Sequence, residues 1–332
     1  MTSETAGEAL SAQLTIGMPH MVPGQLSEVE LLKFVGDLQW QSMGAALETA
    51  PHQVVNDGGE RLLASFINIE SHFGDGCLAQ FQEGDQLTFS GRSAFFAKQF
   101  VEGTVVFAKD ADELQQTQDS PRIEMTNALV TKSGSNTQLK TSRPAGMHQR
   151  TVPEVRNRPR GMVEHSQVQT TGQIPHQAQH ETATALRPRT TDPIVYSIQP
   201  DSDLNGAGLV YFARYIAMMN FAERESLRGR LHRPFSTPLA ACLSTRTRRT
   251  FYFANAEASD KIEIHCKAWL LDKERERTVA STKIATFLFD YQLYRQSDGV
   301  LMASSLAERC LIVPNSQKGL QAEASRFFAE LG

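Results

Sequence analysis

A polar, glycine-bearing turn in the second half of the chain carries residue types that could bind a thioester. It holds Asn205, Gly206 and Gly208, and Tyr211 follows within an apolar helical pattern. Glycines let a backbone approach a ligand closely. Free amides and the positive dipole at a helix start can hold a carbonyl oxygen on which negative charge develops. The alternative is a glycine-rich helix start with no ligand.

Five other polar residues stand where a site residue would be useful, and each has a simpler structural interpretation. His20 precedes the first long helix and is either an acid–base group or a loop histidine. Asn68 and Asn255 are either site donors or hydrogen-bonded core amides. Asp37 falls in mid-helix, as an acid–base group or part of a solvated face. Arg248 lies in a basic run suited to CoA phosphates or an acidic carrier protein, unless that run is a solvated strand face.

Each half of the chain repeats one order of elements, a long apolar helix followed by about four strands. In the first half Ser27 is a candidate N-cap, and apolar residues recur at helical spacing to about Leu47. The second helix is predicted from Leu209 to Leu227, and a last amphipathic helix from about Leu320 to Leu331. The predicted strands span 62–70, 86–96, 103–107 and 122–131, then 194–198, 243–253, 261–271, 279–291 and 300–311.

An apolar helix of that length must be wrapped, and an antiparallel sheet curled around a central helix does this. The predicted fold class is therefore α+β, a tandem (double) hotdog. Similar acid–small–Asp turns at 81–87 and 256–262 occupy matching places in the two halves and favour a duplication. The alternative is two α+β domains that share this order by chance.

The aromatic residues divide the chain. It has 332 residues, enough for two ordinary domains, and none of its 18 Phe, 6 Tyr and 2 Trp lies between Phe107 and Tyr196. We predict a hotdog domain over 14–136, a flexible linker over 137–192 and a second hotdog domain over 193–332. The linker histidines are expected to be solvated: His148, His165, His176 and His180.

Charge and cysteine usage exclude several classes of function. A net charge of −4 argues against a nucleic-acid surface. The four cysteines show no CxxC or CxxH spacing, so no metal site and no disulfide framework is predicted. No apolar run approaches the ~18 residues of a membrane-spanning helix, and Met1 to Leu10 has no signal pattern. These features predict a cytoplasmic protein without a cofactor.

The turn at Asn205 resembles the Asp-Pro-Ala-Gly-Ile-Val-Phe-Tyr signature of hotdog acyl-CoA thioesterases, whose aspartate is a nucleophile or base. Aligning Gly208-Leu209-Val210-Tyr211 on Gly-Ile-Val-Phe places Asn205 at the aspartate. A neutral amide can donate hydrogen bonds but cannot act as a carboxylate base. The site is therefore suited to polarising a thioester.

The chain resembles more closely the double-hotdog acyltransferase/decarboxylases of polyketide and nonribosomal-peptide biosynthesis. The resemblance rests on the segments Gly17–Met21, Gly24–Lys33, Gly36–Trp40, Asn205–Ala213 and Tyr252–Glu257. It implies that a malonyl or methylmalonyl unit on CoA is decarboxylated and passed to the phosphopantetheine thiol of an acyl carrier protein. One departure is Leu63, where the family has a tyrosine implicated in the chemistry.

The preferred function is thus decarboxylating acyl transfer, with acyl-CoA and the carrier protein as partners and a homodimer as a possible assembly. The alternatives are a thioesterase or dehydratase that uses Asp203 or Asp37, and a non-catalytic carrier-binding protein. The candidate catalytic residues are Asn205, Gly206 and His20. The candidate substrate-binding residues are Gly208, Tyr211, Ser27, Asn68, Asn255 and Arg248.

Overall fold

The computed structural model describes residues 9–110, 114, 120–175, 183–186, 192–230, 235–272, 276–277 and 281–329. The helices are α1 Glu28–Ala46, α2 Arg160–Thr171, α3 Pro200–Asp203, α4 Phe212–Glu225, α5 Thr237–Ala241 and α6 Lys318–Ala329. The first eight strands are β1 Leu10–Thr15, β2 Met21–Val22, β3 Gln25–Leu26, β4 Leu63–His72, β5 Gln86–Phe96, β6 Phe100–Ala108, β7 Arg122–Lys132 and β8 Leu139–Thr141. The others are β9 Thr184–Ala185, β10 Ile194–Ser197, β11 Leu243–Tyr252, β12 Lys261–Asp272, β13 Glu276–Arg277, β14 Ser281–Arg295 and β15 Leu301–Pro314.

One large antiparallel sheet joins the two halves. Its main path runs β1-β5-β6-β7-β4-β11-β15-β14-β12-β10. Read outwards from the central β4–β11 pair, the order is β4-β7-β6-β5-β1 in the first half and β11-β15-β14-β12-β10 in the second. The chain visits both sets in the same sequence, so each first-half strand of this path has a counterpart in the second half. At the centre, Asn68 to His72 of β4 pair with Phe251 to Thr247 of β11. This arrangement confirms the predicted duplication and the double hotdog architecture.

Each half wraps its sheet around one long helix. Ser27 caps α1 as predicted, because its hydroxyl accepts a hydrogen bond from Glu30 N at 3.3 Å. Leu32 and Val35 of α1 and Ala213 and Met219 of α4 are at most 1% exposed. The two central helices also meet each other. A Cβ added at Gly36 would lie 2.6 Å from the Phe212 ring, so this position of α1 has room only for glycine.

The second central helix starts later than the sequence predicts. It begins at Phe212 instead of Leu209. Val210 forms a bridge with Leu204, and its N–H donates to Asn255 Oδ1 at 2.9 Å. Residues 205–209 are therefore held as a turn outside the helix.

Parts of the segment predicted as a flexible linker form secondary structure and pack against the rest of the chain. The segment contains β8, α2 and β9, and Met147 and Val168 are at most 2% exposed. Gly161 of α2 lies so close to the sheet that an added Cβ would be 2.6 Å from Asn68 Oδ1. The sparse apolar residues of this segment are enough because they pack onto a preformed sheet. His176 and His180 lie outside the described residues, and the domain boundaries stay a prediction.

Candidate functional site

A cavity of about 740 Å³ lies where β4 and β11 stop pairing. The last residues that pair β4 with β11 are Asn68 and Phe251. The adjoining stretches line the cavity, namely 63–67 of β4 and 252–255, which begins at the last residue of β11. The middle of α1 and the turn before α4 supply further walls. The aromatic lining residues are Trp40, Phe66, Phe100, Tyr211, Phe212, Tyr215, Tyr252 and Phe253. The cavity is therefore built by both halves of the chain.

Asn205 organises the turn that faces this cavity. Its Oδ1 accepts hydrogen bonds from Ala207 N at 2.9 Å and Leu209 N at 3.1 Å. Its backbone N–H donates to Leu209 O at 2.8 Å, which closes the turn. Gly208 has a φ of +73°, a left-handed conformation that favours glycine. Both hydrogen bonds of Asn205 Oδ1 are therefore made within the turn, and they fix the orientation of the side-chain amide.

Residues of other elements hold the same turn from behind. Lys132 Nζ at the end of β7 donates to Ala207 O at 3.1 Å. Asn136 Nδ2 donates to Gly208 O at 2.6 Å and to Ala256 O at 2.8 Å. The first half of the chain therefore positions the turn of the second half.

Two hydrogen-bond donors of the turn remain available. Among the described residues, neither Asn205 Nδ2 nor the Gly206 N–H has a hydrogen-bond partner, and both residues line the cavity. A Cβ added at Gly206 would meet nothing within 4 Å, so this side of the turn is open. The structure thus brings together the predicted residues Asn205 and Gly206. The donors belong to the turn, however, and not to the first turn of α4 as the sequence predicts.

Tyr211 lies close enough to Asp37 to be influenced by its charge. Burial, with the negative charges of Asp37 and Glu30, raises the pKa of Tyr211 to about 12. At neutral pH its hydroxyl is therefore protonated and can donate a hydrogen bond. Asp37 is exposed and accepts from Gln41 Nε2 at 2.7 Å. Both residues line the cavity, together with Leu63.

Asn255 and Gly208 support the turn. Asn255 lines the cavity, but its Oδ1 accepts from Val210 N and Ala256 N at 2.9 Å each. Its Nδ2 donates to Val210 O at 3.3 Å. Gly208 faces Lys132 on the far side of the turn. Both residues therefore hold Val210 and the turn in position, and their predicted role in substrate binding stays a prediction.

Three predicted site residues lie away from the cavity. His20 Nδ1 accepts from Gly17 N at 2.9 Å and closes a short turn before α1. The Ser27 hydroxyl caps α1. Asn68 is 5% exposed, donates to Thr250 O at 3.5 Å and packs against Gly161. Each of these residues has a local structural contact, and its role in the site stays a prediction.

Arg248 is buried and cannot reach CoA phosphates or a carrier protein. Its side chain is 2% exposed, and its Nε lies 2.8 Å from Glu28 Oε1 at the N-terminus of α1. Asn220 Oδ1 accepts from Arg248 at 3.1 Å, and Thr245 donates to Glu28 at 2.7 Å. This network fills the space beside α1 that corresponds to the cavity beside α4. The alternating strand pattern did not predict it because it depends on a contact between distant elements.

Asp203 has a structural role. It is fully buried, and its Oδ2 accepts from Tyr196 Oη at 2.9 Å and from Gln199 N at 2.7 Å. Its Oδ1 lies 2.9 Å from Arg214 Nε. Both oxygens are therefore already paired, which disfavours Asp203 as the acid–base group of a thioesterase or dehydratase. Asp37 remains as the carboxylate of that hypothesis.

His165 is a cavity residue that the sequence analysis assigned to solvent. It lies on α2 and lines the cavity, with its Nε2 2.8 Å from Tyr252 O. Its ring packs against Phe253 with centroids 4.7 Å apart. Burial and the positive charge of Arg158 lower its pKa. The available signal was the helical spacing of Met162 and Val168 around it, which predicts a packed helix in place of a linker.

Comparison with known proteins shows the fold. No family model and no curated protein matches the chain. Solved structures do match along nearly their whole length. An acyl-ACP thioesterase from Bacteroides thetaiotaomicron aligns at 12% identity and a TM-score of 0.52 over 91% of this chain and 97% of its own. A protein from Lactobacillus plantarum assigned as an oleoyl thioesterase aligns at 10% identity and a TM-score of 0.56, over 93% of this chain and 99% of its own.

The 12:0-ACP thioesterase from Umbellularia californica is similar to the same extent. It aligns at 10% identity and a TM-score of 0.51, over 92% of this chain and 94% of its own. The chain thus has a double hotdog fold. The similarity covers both halves, and at this identity it concerns the fold alone. In the described residues, no cluster of three His, Cys, Asp or Glu could hold a metal, and no helix could cross a membrane.

Proposed function

We propose that the cavity binds an acyl thioester and passes its acyl group to the thiol of a phosphopantetheine-bearing carrier protein. The donor is a malonyl-type acyl-CoA that loses carbon dioxide. The observation that carries the proposal is the free Nδ2 of Asn205, held at the cavity by the two hydrogen bonds of its Oδ1. A donor fixed in this way can bind a thioester oxygen without reorganising.

Decarboxylation suits this arrangement because it develops charge on that same oxygen. Loss of carbon dioxide from a malonyl thioester leaves an enolate, whose oxygen needs hydrogen-bond donors and not a base. A proton from water then adds to the α carbon and gives the saturated acyl thioester. Asn205 Nδ2 and the Gly206 N–H supply two donors, and Tyr211 supplies a protonated hydroxyl. The aromatic walls disfavour a charged carboxylate and so favour its loss. The proposal includes no metal or organic cofactor.

Hydrolysis of the thioester is the second candidate. It is favoured by Asp37, a carboxylate at the cavity that could activate water. Two of the solved structures with this fold are thioesterases by name, and a third is assigned as one. In this reaction Asn205 keeps the same role, since the tetrahedral intermediate also carries an oxyanion.

One experiment separates these functions. The protein is incubated with methylmalonyl-CoA and a holo carrier protein, and both the carrier and the small molecules are analysed by mass spectrometry. A propionyl group on the carrier supports decarboxylating transfer, and a methylmalonyl group supports transfer alone. Free acid without carrier loading supports hydrolysis. Binding without any product contradicts an enzymatic role. The apo carrier, which lacks the thiol, is the control for transfer.

A further inference from the structure

His165 lies on α2, in the segment between the two central helices. α2 crosses the central strands and is fixed at both ends. Near its start, Gly161 lies against Asn68. Just after its end, Gly172 O accepts from Gln292 Nε2 of β14 at 2.7 Å. A side chain on this helix is therefore held in a defined position relative to the cavity.

The hydrogen bond of His165 determines which ring nitrogen carries the proton. Its Nε2 lies 2.8 Å from Tyr252 O. A carbonyl oxygen only accepts, so Nε2 must be the donor and the neutral ring has its lone pair on Nδ1. Within the described part of the chain, no hydrogen-bond partner is found for Nδ1. The ring lines the cavity and packs on Phe253, which fixes its plane.

The charged groups around α2 are largely paired with one another. Glu164 lies 2.9 Å from Arg160 and 2.5 Å from Arg249 of β11. Glu70 of β4 lies 3.5 Å from the same Arg249. The other charged residues that face α2 are Arg158 in the preceding loop and Glu124 of β7. Among the residues that the structure describes, no carboxylate is hydrogen-bonded to the imidazole of His165, and burial lowers its pKa and so favours the neutral ring.

We propose that His165 is the general base that activates the nucleophile attacking the bound thioester. This inference rests on the proposed function. Nδ1 takes the proton from the attacking group, a carrier thiol in the proposed transfer. The sulfur forms a bond to the carbonyl carbon, and the oxyanion is held by Asn205 Nδ2. The bond to the CoA sulfur then breaks, and the CoA sulfur takes the proton back from Nδ1. Tyr252 O stabilises the imidazolium that exists between these steps.

The test compares wild-type protein with His165→Gln across pH 5 to pH 9, by the rate of carrier loading and of free-acid release. Glutamine keeps a donor for Tyr252 O but has no basic nitrogen. Transfer at pH 7 should fall by about 10²-fold or more, the usual contribution of a general base. The wild-type rate should fall with acid at a pKa below the ordinary value of 6.5. The variant should lose that step and accelerate with pH as the thiol ionises by itself.

A matched control is Gln167→Ala, an exposed position on the same helix, which should keep the wild-type rate and pH profile. Binding of a non-reactive acyl-CoA analogue should be unchanged in His165→Gln. An unchanged rate and pH profile in His165→Gln would overturn the inference. Free acid formed with the same His165 dependence, in place of a loaded carrier, would overturn the thiol as the proton source and assign that proton to water.

NMR of the wild-type protein, labelled with ¹⁵N in its histidines, tests the inference even if the variant does not fold. His165 should carry its proton on Nε2 at neutral pH and should titrate at the pH of the acid step in the rate. A proton on Nδ1, or a ring that does not titrate with the rate, contradicts the base role. If wild-type protein turns over no acyl-CoA, the proposed function fails instead, whatever the tautomer.

Discussion

The substitution Asn205→Asp separates the two roles of this side chain. Aspartate has the same shape and keeps an oxygen that can accept from Ala207 N and Leu209 N, as Oδ1 does at 2.9 Å and 3.1 Å. Only the amide nitrogen changes: the substitution replaces it by the second oxygen of a negatively charged carboxylate, an acceptor in place of a donor. The turn should therefore persist, with the free energy of unfolding changed by less than about 1 kcal/mol.

The effect on the reaction should be much larger than the effect on stability. Loss of one oxyanion donor costs about 10²–10³-fold in rate. Repulsion between the new carboxylate and the enolate oxygen adds to this loss, since at 3 Å two charges interact by several kcal/mol even at an effective dielectric constant of about 20. Asn205→Asp should thus lower the rate by about 10³-fold or more. Asn205→Ala should lower it by about 10²-fold, and it should also destabilise the turn by about 1–3 kcal/mol because two amides lose their acceptor.

The assay is carrier loading followed by mass spectrometry, with stability measured by chemical denaturation. Gln199→Glu is the charge control, because it adds the same charge six residues upstream at an exposed position. A variant Asn205→Asp that folds and keeps the wild-type rate would refute the assignment of Nδ2 as the oxyanion donor. A strongly destabilised Asn205→Asp would show that the two Oδ1 hydrogen bonds do not hold the turn in the way described.

Four further single substitutions and one double variant test the surroundings of the site by chemical denaturation. Arg248→Met should cost about 3–5 kcal/mol, because it leaves Glu28 charged and buried, and the double variant with Glu28→Leu should recover part of that loss. Full stability of the single variant would contradict the buried pair. Gly208→Ala should cost about 1–2 kcal/mol for its left-handed backbone, whereas Gly206→Ala should not, and equal effects would contradict the turn geometry. Asp203→Asn should cost about 2–3 kcal/mol through its broken ion pair, and an unchanged stability with lost turnover would instead favour a catalytic Asp203.

The periodicity of the sequence was sufficient for the fold. α1 is predicted from its apolar spacing, and Ser27 from its position before that pattern, and both are confirmed. The duplication followed from the order of elements and agrees with the sheet, which repeats outwards from β4 and β11. Such local patterns depend on the residues themselves and on their neighbours in sequence. They do not say which distant elements meet.

Because local patterns do not show which distant elements meet, the sequence analysis misjudged the surroundings of Arg248 and His165. Asn205 and Gly206 could be placed on one turn because a turn and its glycine are local features. Arg248 was misplaced because its partner, Glu28, is 220 residues away in sequence. His165 was missed because the few apolar residues of α2 are too sparse to form a core of their own. They become buried only against the completed sheet, which sequence composition alone does not represent.

The central claim is that an acyl thioester binds in the cavity with its carbonyl oxygen on Asn205. A crystal structure of the protein with a non-reactive malonyl-CoA analogue, in which the thioester is replaced by an amide, tests this directly. We expect the carbonyl oxygen within hydrogen-bonding distance of Asn205 Nδ2, with the carboxylate end against the aromatic walls. An analogue that binds outside the cavity, or inside it with its carbonyl turned away from Asn205, would contradict the account.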